Sequence, residues 1–198
     1  MVVCADRQKP APAAARGGPC QTRGMPTFEE LEAGWLADPG TRGARGRVRV
    51  IVVRLGDGAH ALPPSCQVEV AGGIVGDRWS RAEAPHPEAQ VTLMSARVCE
   101  LLGGGTHRLD RAGDNFVLDG LDLSEAALPA GTRLRVGGAV LEVTAKSHLG
   151  CAKFSERFGQ DALRWVNWKD HRERRLRGVN CKIIEAGTVA LGDEIYTL

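Results

Sequence analysis

The stretch R-L-R-V-G-G-A-V-L-E-V at residues 133–143 points most directly to the fold of this 198-residue chain. Apolar residues alternate with polar ones on both sides of Gly137 and Gly138, which predicts two antiparallel strands joined by a tight turn. Six further runs have strand character: residues 47–54, 66–70, 91–94, 116–120, 179–184 and 189–195. We expect the last two to form a second hairpin that turns at Ala186 and Gly187.

Helical spacing is limited to three short stretches, the last of them broken at Gly159: residues 27–37, 96–102 and 151–166. The first stretch opens with Thr27 and Glu30 in a capping-box pattern. Many short strands with few helices between them favour a mainly β fold. We therefore predict an antiparallel, twisted, β-barrel-like domain with a few short helices, rather than a parallel doubly wound sheet.

The N-terminal segment differs in composition from the rest of the chain. Residues 1–25 are rich in Ala, Pro, Gly and Arg and show neither helical nor strand periodicity. Such a segment cannot bury enough apolar surface to offset the entropy lost on ordering. We predict a disordered tail at residues 1–25 and a single domain at residues 26–198.

The overall composition argues against several classes of protein. A net charge of +2 and an aromatic content of 5% do not favour a nucleic-acid binder with a broad basic face. No apolar run approaches the roughly 18 residues of a membrane span, and the N-terminus lacks the apolar core of a secretory signal. We expect a cytoplasmic protein with neither a membrane nor a nucleic acid as its partner.

The six cysteines are scattered along the chain without C-x-x-C pairs: Cys4, Cys20, Cys66, Cys99, Cys151 and Cys181. This spacing argues against a disulfide scaffold and is typical of a reducing compartment. Cys66, Cys99 and Cys181 lie within apolar patterns, so we expect them in the core.

Cys151 differs from the other cysteines because it lies at the predicted start of a helix. The helix dipole and the unpaired N–H groups of the first turn favour a thiolate, and Lys153 adds positive charge nearby. We therefore consider Cys151 a candidate reactive thiol, with an inert buried thiol as the alternative. His148 and Cys151 have the spacing of a metal-binding pair, but no third or fourth ligand accompanies them, so we expect no zinc site.

Two glycine-containing segments carry polar residues that suit a binding site. In G-I-V-G-D-R-W at 73–79, Asp77 and Arg78 either hold a polar ligand or form an ion pair in a tight turn. Asn115 either caps a turn or lies with Arg111 at the rim of a pocket. The residues alone leave both alternatives open.

A basic run lies near the C-terminus. Residues 164–177 contain six Lys or Arg residues and two acidic residues. Such a run is either a solvated face or an anion site, because arginine suits phosphate and carboxylate oxygens. Arg177, directly before a predicted strand, is the member that we expect to point inward.

Taken in order, six segments resemble the MOSC domain, named for the C-terminal domain of molybdenum-cofactor sulfurase, and in particular its stand-alone bacterial type. They are G-I-V-G-D-R-W at 73–79, Q-V-T-L-M-S at 90–95, G-D-N-F-V-L-D-G-L-D-L at 113–123, L-P-A-G-T-R-L-R-V-G-G-A-V-L-E-V-T at 128–144, G-C-A-K-F at 150–154 and R-G-V-N-C-K-I-I-E-A-G-T-V-A-L-G-D-E-I at 177–195. Each segment alone is weakly specific, whereas six in this order are specific. The resemblance covers roughly residues 46–196.

The resemblance implies a β-barrel-like fold with an essential cysteine that ligates the molybdenum of a pyranopterin cofactor. Cys151 falls on that position and would be both the catalytic residue and the metal ligand. Some relatives reduce N-hydroxylated compounds, which implies a molybdenum-dependent oxidoreductase with a small-molecule substrate and a redox partner. Others are discussed as sulfur carriers, which implies a cysteine that accepts a persulfide from a cysteine desulfurase.

Eight polar residues are expected around that cofactor: Asp77, Arg78, Arg111, Asn115, Lys153, Arg174, Arg175 and Arg177. Arg78, Asn115 and Arg177 fall on polar positions of the family. The cofactor carries a phosphate, which is the expected partner of Arg174, Arg175 and Arg177.

The sequence departs from the family pattern at three positions. Trp79 stands where histidine is common, Asp114 where glutamate is usual, and Gly150 where proline is frequent. Trp79 removes a titratable group that would handle substrate or protons.

Overall fold

The computed structural model describes residues 24–103 and 105–198. Of the tail predicted at residues 1–25, only Gly24 and Met25 lie within the described residues. The single domain expected at residues 26–198 stays a prediction.

Strands dominate the described part of the chain: β1 (Arg42–Gly43), β2 (Arg45–Ile51), β3 (Val53–Gly56), β4 (Ala59–Ala61), β5 (Ser65–Glu69), β6 (Gly73–Ile74), β7 (Val91–Ser95), β8 (Phe116–Leu121), β9 (Arg133–Val136), β10 (Ala139–Val143), β11 (Val179–Glu185), β12 (Gly187–Ala190) and β13 (Glu194–Thr197). The α-helices are α1 (Phe28–Ala37), α2 (Ala96–Gly103), α3 (Ala152–Phe158) and α4 (Gln160–Val166). Short 3-10 turns cover Arg78–Arg81, Pro87–Ala89, Thr106–Ala112 and Lys169–Arg174.

Seven of the strands close a barrel in the order β8–β2–β13–β9–β10–β11–β7, and β7 pairs in turn with β8. The β7–β8 pair is parallel, whereas the other neighbouring strands of the barrel are antiparallel. Parallel neighbours need a long connection, which α2 and the following 3-10 turn provide. The predicted mainly β, barrel-like fold is confirmed, and its one parallel pair makes the barrel mixed rather than wholly antiparallel.

The hairpin predicted at residues 133–143 is confirmed as β9–β10. Val136 pairs with Ala139 and Leu134 with Leu141, and all four side chains are buried in the barrel core. Gly137 has a φ of 51°, which glycine adopts without steric cost and which the tight turn requires.

The hairpin predicted from residues 179–195 is wrong. β11 pairs with β10 and β7, β12 pairs with β5, and β13 pairs with β2 and β9. Gly187, expected in a turn, lies in β12 instead, and its backbone passes so close to β10 that a Cβ would lie 2.9 Å from the nitrogen of Ala139. Strand spacing alone did not identify these partners, because each of them lies far away in the sequence.

The helices pack on the outward faces of β7 and β8. Leu93 and Phe116 point into the barrel core, while Met94 and Val117 join a second hydrophobic cluster with α1 to α4. α3 and α4 are separated at Gly159, as the sequence predicts. Within the described residues, no helix is long and apolar enough to cross a membrane.

Candidate functional site

A cavity of about 200 Å³ lies beside Cys151. Its walls come from the β3–β4 hairpin, the 3-10 turn at Arg78, the loop before β8, the segment around the start of α3, and Arg177 before β11. These segments are far apart in sequence and come together because the barrel closes.

Cys151 is the N-terminal cap of α3. Its carbonyl oxygen accepts hydrogen bonds from the N–H groups of Phe154 and Ser155 at 2.9 and 3.0 Å. Its side chain makes no cap hydrogen bond, and the residue is exposed. The thiol is therefore accessible from solvent while it lines the cavity.

The other cysteines within the described residues are buried: Cys66, Cys99 and Cys181. Burial raises the pKa of Cys66 to about 11 and also raises the pKa of Cys99 and of Cys181. These three thiols stay protonated at neutral pH, as expected for core residues. Cys4 and Cys20 lie outside the described residues.

The cavity is strongly cationic. One carboxylate and five cationic side chains line it: Asp114, with Arg54, Arg78, Lys153, Arg157 and Arg177. Buried carboxylates neutralise two of the cations, Arg54 and Arg177. Within the described part of the chain, no carboxylate lies within 4.0 Å of the other three. The cavity therefore suits an anionic group.

Arg54 is fixed by Asp77. The Asp77 carboxylate accepts hydrogen bonds from the backbone N–H of Arg54 at 2.8 Å and from its guanidinium at 2.9 Å. Burial alone would raise the pKa of Asp77, but the hydrogen bonds and charge of Arg54 outweigh it and hold that pKa below its usual value. Asp77 is thus an ionised, buried partner behind the cavity wall.

Arg177 is held by an ion pair with Asp114 and by a cation–π contact with Phe154. Its Nη1 lies 2.5 Å from Asp114 Oδ2, and its guanidinium lies over the ring of Phe154 at 5.1 Å. The Asp114 side chain is only 1% exposed, so this is a buried ion pair.

His148 contacts the other oxygen of Asp114. Its Nε2 lies 3.5 Å from Asp114 Oδ1, at the limit of a hydrogen bond and without good hydrogen-bond geometry. Burial, followed by the charge of Arg177, lowers the pKa of His148 to about 4, although Asp114 acts in the opposite direction. The imidazole is therefore neutral at pH 7, and its contact with Asp114 is a polar contact between an anion and a neutral group.

The predicted site residues fall into three groups. Arg78, Lys153 and Arg177 line the cavity together with Cys151. Asn115 lies behind the wall, where it accepts from the Thr92 N–H and donates to the Val52 carbonyl, both at 3.1 Å. It also donates to Asp77, so these two residues support the wall rather than line it.

Arg111, Arg174 and Arg175, which the sequence analysis placed around the cofactor, do not line this cavity. Arg111 donates to the carbonyl oxygen of Arg157 at 2.6 Å and lies outside the wall. Arg174 forms an ion pair with Glu32 at 3.0 Å, and Arg175 donates to the carbonyl oxygen of Leu128 at 2.6 Å. The arginines of the basic run thus serve different contacts, and only Arg177 reaches the cavity.

Sequence reasoning missed several lining residues: Arg54, His60 and Arg157. His60 lies in β4, a strand of three residues that no sequence pattern indicated, and its Nδ1 is 4.0 Å from Asp110. Burial and the charge of Arg157 lower the pKa of His60. Trp79, which the resemblance aligns with a common histidine, does not line the cavity; its indole N–H donates to the His86 carbonyl at 3.1 Å.

A pyranopterin molybdenum cofactor fits the chemistry of this cavity. Thiolate is a soft ligand, and cations without a carboxylate partner suit a phosphate. Among the described residues, no group of three His, Cys, Asp or Glu side chains could hold a metal ion by itself. A cavity of about 200 Å³ is below the roughly 300–1,000 Å³ of most ligand pockets, so it would enclose one end of such a cofactor.

Comparisons with known proteins agree with this fold. The family model of the MOSC domain matches residues 73–196. The crystal structure of the YuaD protein from Bacillus subtilis is 19% identical, with a TM-score of 0.59, and the match covers 76% of this chain and 94% of that chain. No curated protein matches the sequence.

Two further crystal structures are similar. YiiM from Escherichia coli is 16% identical, with a TM-score of 0.52 over 77% of this chain and 69% of that chain. YiiM from Geobacillus stearothermophilus is 13% identical, with a TM-score of 0.56 over 77% of this chain and 75% of that chain. At these identities the likeness shows a shared fold alone.

Proposed function

The chain belongs to the MOSC domain family, and on this basis we propose that it binds the pyranopterin molybdenum cofactor and reduces N-hydroxylated compounds. Cys151 would be the molybdenum ligand and the catalytic residue. The observation that carries the proposal is an exposed thiol on a cationic cavity whose walls are held by buried ion pairs.

The described residues have distinct roles in this proposal. Cys151 would hold the metal, while Arg78 and Lys153 would bind the anionic end of the cofactor, because both are exposed and line the cavity. When bound, the molybdenum centre would supply the two-electron reduction in which an N–OH group becomes N–H and its oxygen leaves as water. Two protons are consumed, and a redox partner supplies the electrons.

Molybdenum analysis tests this proposal. Wild type and Cys151→Ala are purified from a host that makes the cofactor, with Ser155→Ala as a control in the same helix. We expect molybdenum and pterin in wild type and Ser155→Ala, and a loss of at least about tenfold in Cys151→Ala, since even residues behind metal ligands change affinity by 10- to 100-fold. A wild type without molybdenum, and a reductase activity that Cys151→Ala leaves unaltered, would refute the proposal.

A second candidate function is that of a sulfur carrier. It is favoured by the exposure of Cys151, which makes the thiol accessible to the active site of another protein. The thiolate would attack the outer sulfur of a persulfide on a cysteine desulfurase, form a persulfide on Cys151 and release the desulfurase cysteine as a thiolate. Such a carrier would work in the cytoplasm, where thiols stay reduced.

Mass spectrometry separates the two functions. After incubation with a cysteine desulfurase and cysteine, the Cys151 peptide should gain about 32 Da if it accepts sulfur as a persulfide. The same peptide of Cys151→Ala serves as the control. An unmodified Cys151 peptide, with the desulfurase shown to be active, contradicts the carrier function.

A further inference from the structure

The segment that leads to Cys151 has no regular secondary structure. Residues 144–150 connect β10 to α3 without a helix or strand, so contacts with other parts of the chain hold its conformation. Asn180 donates to the carbonyl of Lys146 at 3.1 Å, and His148 contacts Asp114. These contacts hold the first part of the segment but leave the residue next to Cys151 to another side chain.

That side chain belongs to Asn167, at the C-terminal end of α4. Its Oδ1 accepts from the Gly150 N–H at 2.9 Å, and its Nδ2 donates to the Gly150 carbonyl oxygen at 3.1 Å. One amide thus pairs with both backbone polar groups of the residue before Cys151. Within the described residues, these are the hydrogen bonds that Gly150 makes.

Gly150 lies close to side chains of α4. A Cβ at this position would lie 2.7 Å from Leu163 Cδ1 and 3.1 Å from Val166 Cγ2. Glycine permits this contact but also gives the backbone its greatest freedom. The Asn167 amide restricts that freedom immediately before the reactive residue.

We propose that Asn167 is a positioning residue, which holds the Cys151 thiol among the cations of the cavity through its two hydrogen bonds to Gly150. The inference rests on the proposed role of Cys151 as the reactive group. Asn167 is exposed, and so its replacement should change the orientation of Cys151 without unfolding the protein.

The ratio of two alkylation rates measures this orientation. Iodoacetate is an anion and iodoacetamide is neutral, and both react with the same thiolate, so the ratio of their rates reports the charge around Cys151 rather than its degree of ionisation. Relative to a free thiol, we expect the ratio to be raised about fivefold in wild type by the nearby cations. In Asn167→Ala it should fall by about threefold, because the thiolate moves away from Arg78 and Lys153.

Further variants separate positioning from other effects. Lys153→Gln should lower the ratio with Asn167 intact, whereas Lys169→Gln, an equal charge change outside the cavity lining, should not. Gln160→Ala, at the other end of α4, should match wild type. Asn167→Ser, too short to bridge both groups of Gly150, should behave like Asn167→Ala and serves if the alanine variant does not fold.

Hydrogen exchange completes the test. We expect the Gly150 amide to exchange faster in Asn167→Ala, with an unchanged midpoint of urea unfolding. A wild-type alkylation ratio in Asn167→Ala and Asn167→Ser overturns the inference, whether or not the Gly150 amide exchanges faster. Because neither measurement uses molybdenum or turnover, this result is distinct from a failure of the proposed function.

Discussion

Replacement of Arg177 should strongly reduce the stability of the folded protein, because the Arg177 guanidinium neutralises a buried carboxylate. Arg177 is 8% exposed and Asp114 is 1% exposed, and their charged atoms lie 2.5 Å apart. In Arg177→Gln the Asp114 carboxylate would stay buried without a cation. We therefore expect the free energy of unfolding to fall by about 3–5 kcal/mol, the range for removal of one partner from a buried ion pair.

The size of this stability loss depends on how deeply the ion pair is buried, and an exposed ion pair serves as the control. Arg135 pairs with Glu185 at 3.2 Å, but the Glu185 side chain is 57% exposed. Arg135→Gln should therefore cost less than about 1 kcal/mol. Both variants replace an arginine by glutamine, but only Arg177→Gln leaves a buried carboxylate without its cation, so the difference between them reports burial.

Urea unfolding followed by tryptophan fluorescence measures these changes, since Trp35 and Trp165 are buried. The double variant Asp114→Leu with Arg177→Met removes both charges, and we expect it to be more stable than either Asp114→Leu or Arg177→Met alone. An Arg177→Gln protein within about 1 kcal/mol of wild type would refute the reasoning and favour Arg177 as a ligand-binding cation instead.

Two further predictions follow from buried groups and close contacts. Burial and the charge of Arg177 lower the pKa of His148 to about 4. Between about pH 6.5 and pH 4 only the unfolded state therefore binds a proton at this imidazole. We expect the free energy of unfolding to fall by at most about 3 kcal/mol as the pH drops through this window. Urea unfolding at pH 7 and pH 5 should show a smaller loss in His148→Gln, and an equal loss in both proteins contradicts the assignment. Gly178→Ala should destabilise the protein more than Gly131→Ala. Both glycines have a φ of +91°, which alone costs an alanine about 1–2 kcal/mol, but only a Cβ at Gly178 would collide with the Leu93 carbonyl oxygen. Equal thermal midpoints of the two variants would show that the collision is relieved.

Much of the local structure could be predicted because it depends on nearby residues. The Thr27 and Glu30 capping box forms as expected, with hydrogen bonds of 3.2 and 2.9 Å. The β9–β10 hairpin and the break at Gly159 also follow from residues within a few positions of each other. Cys151 at the start of α3 belongs to the same class of prediction.

The composition of the cavity wall could not be predicted in this way. Arg174, Arg175 and Arg177 lie within four residues of one another, and sequence reasoning assigned all three to one anion. In the structure Arg175 has a left-handed φ of 48°, which turns the chain at the end of a 3-10 segment. Only Arg177 then points to Asp114, because the direction of a side chain depends on the backbone path and not on the spacing of like residues.

The sequence by itself determined most of the strand and helix segments, the buried cysteines and the one thiol at a helix start, because hydrophobic spacing and capping act over a few residues. The tertiary structure decided the parallel β7–β8 pair and the separate partners of β11, β12 and β13. It also brought Arg54, His60 and Arg157 together with Cys151 in the cavity lining. These features depend on which distant segments meet when the barrel closes. That choice is made by the total burial and hydrogen bonding of the whole chain, which no local pattern contains.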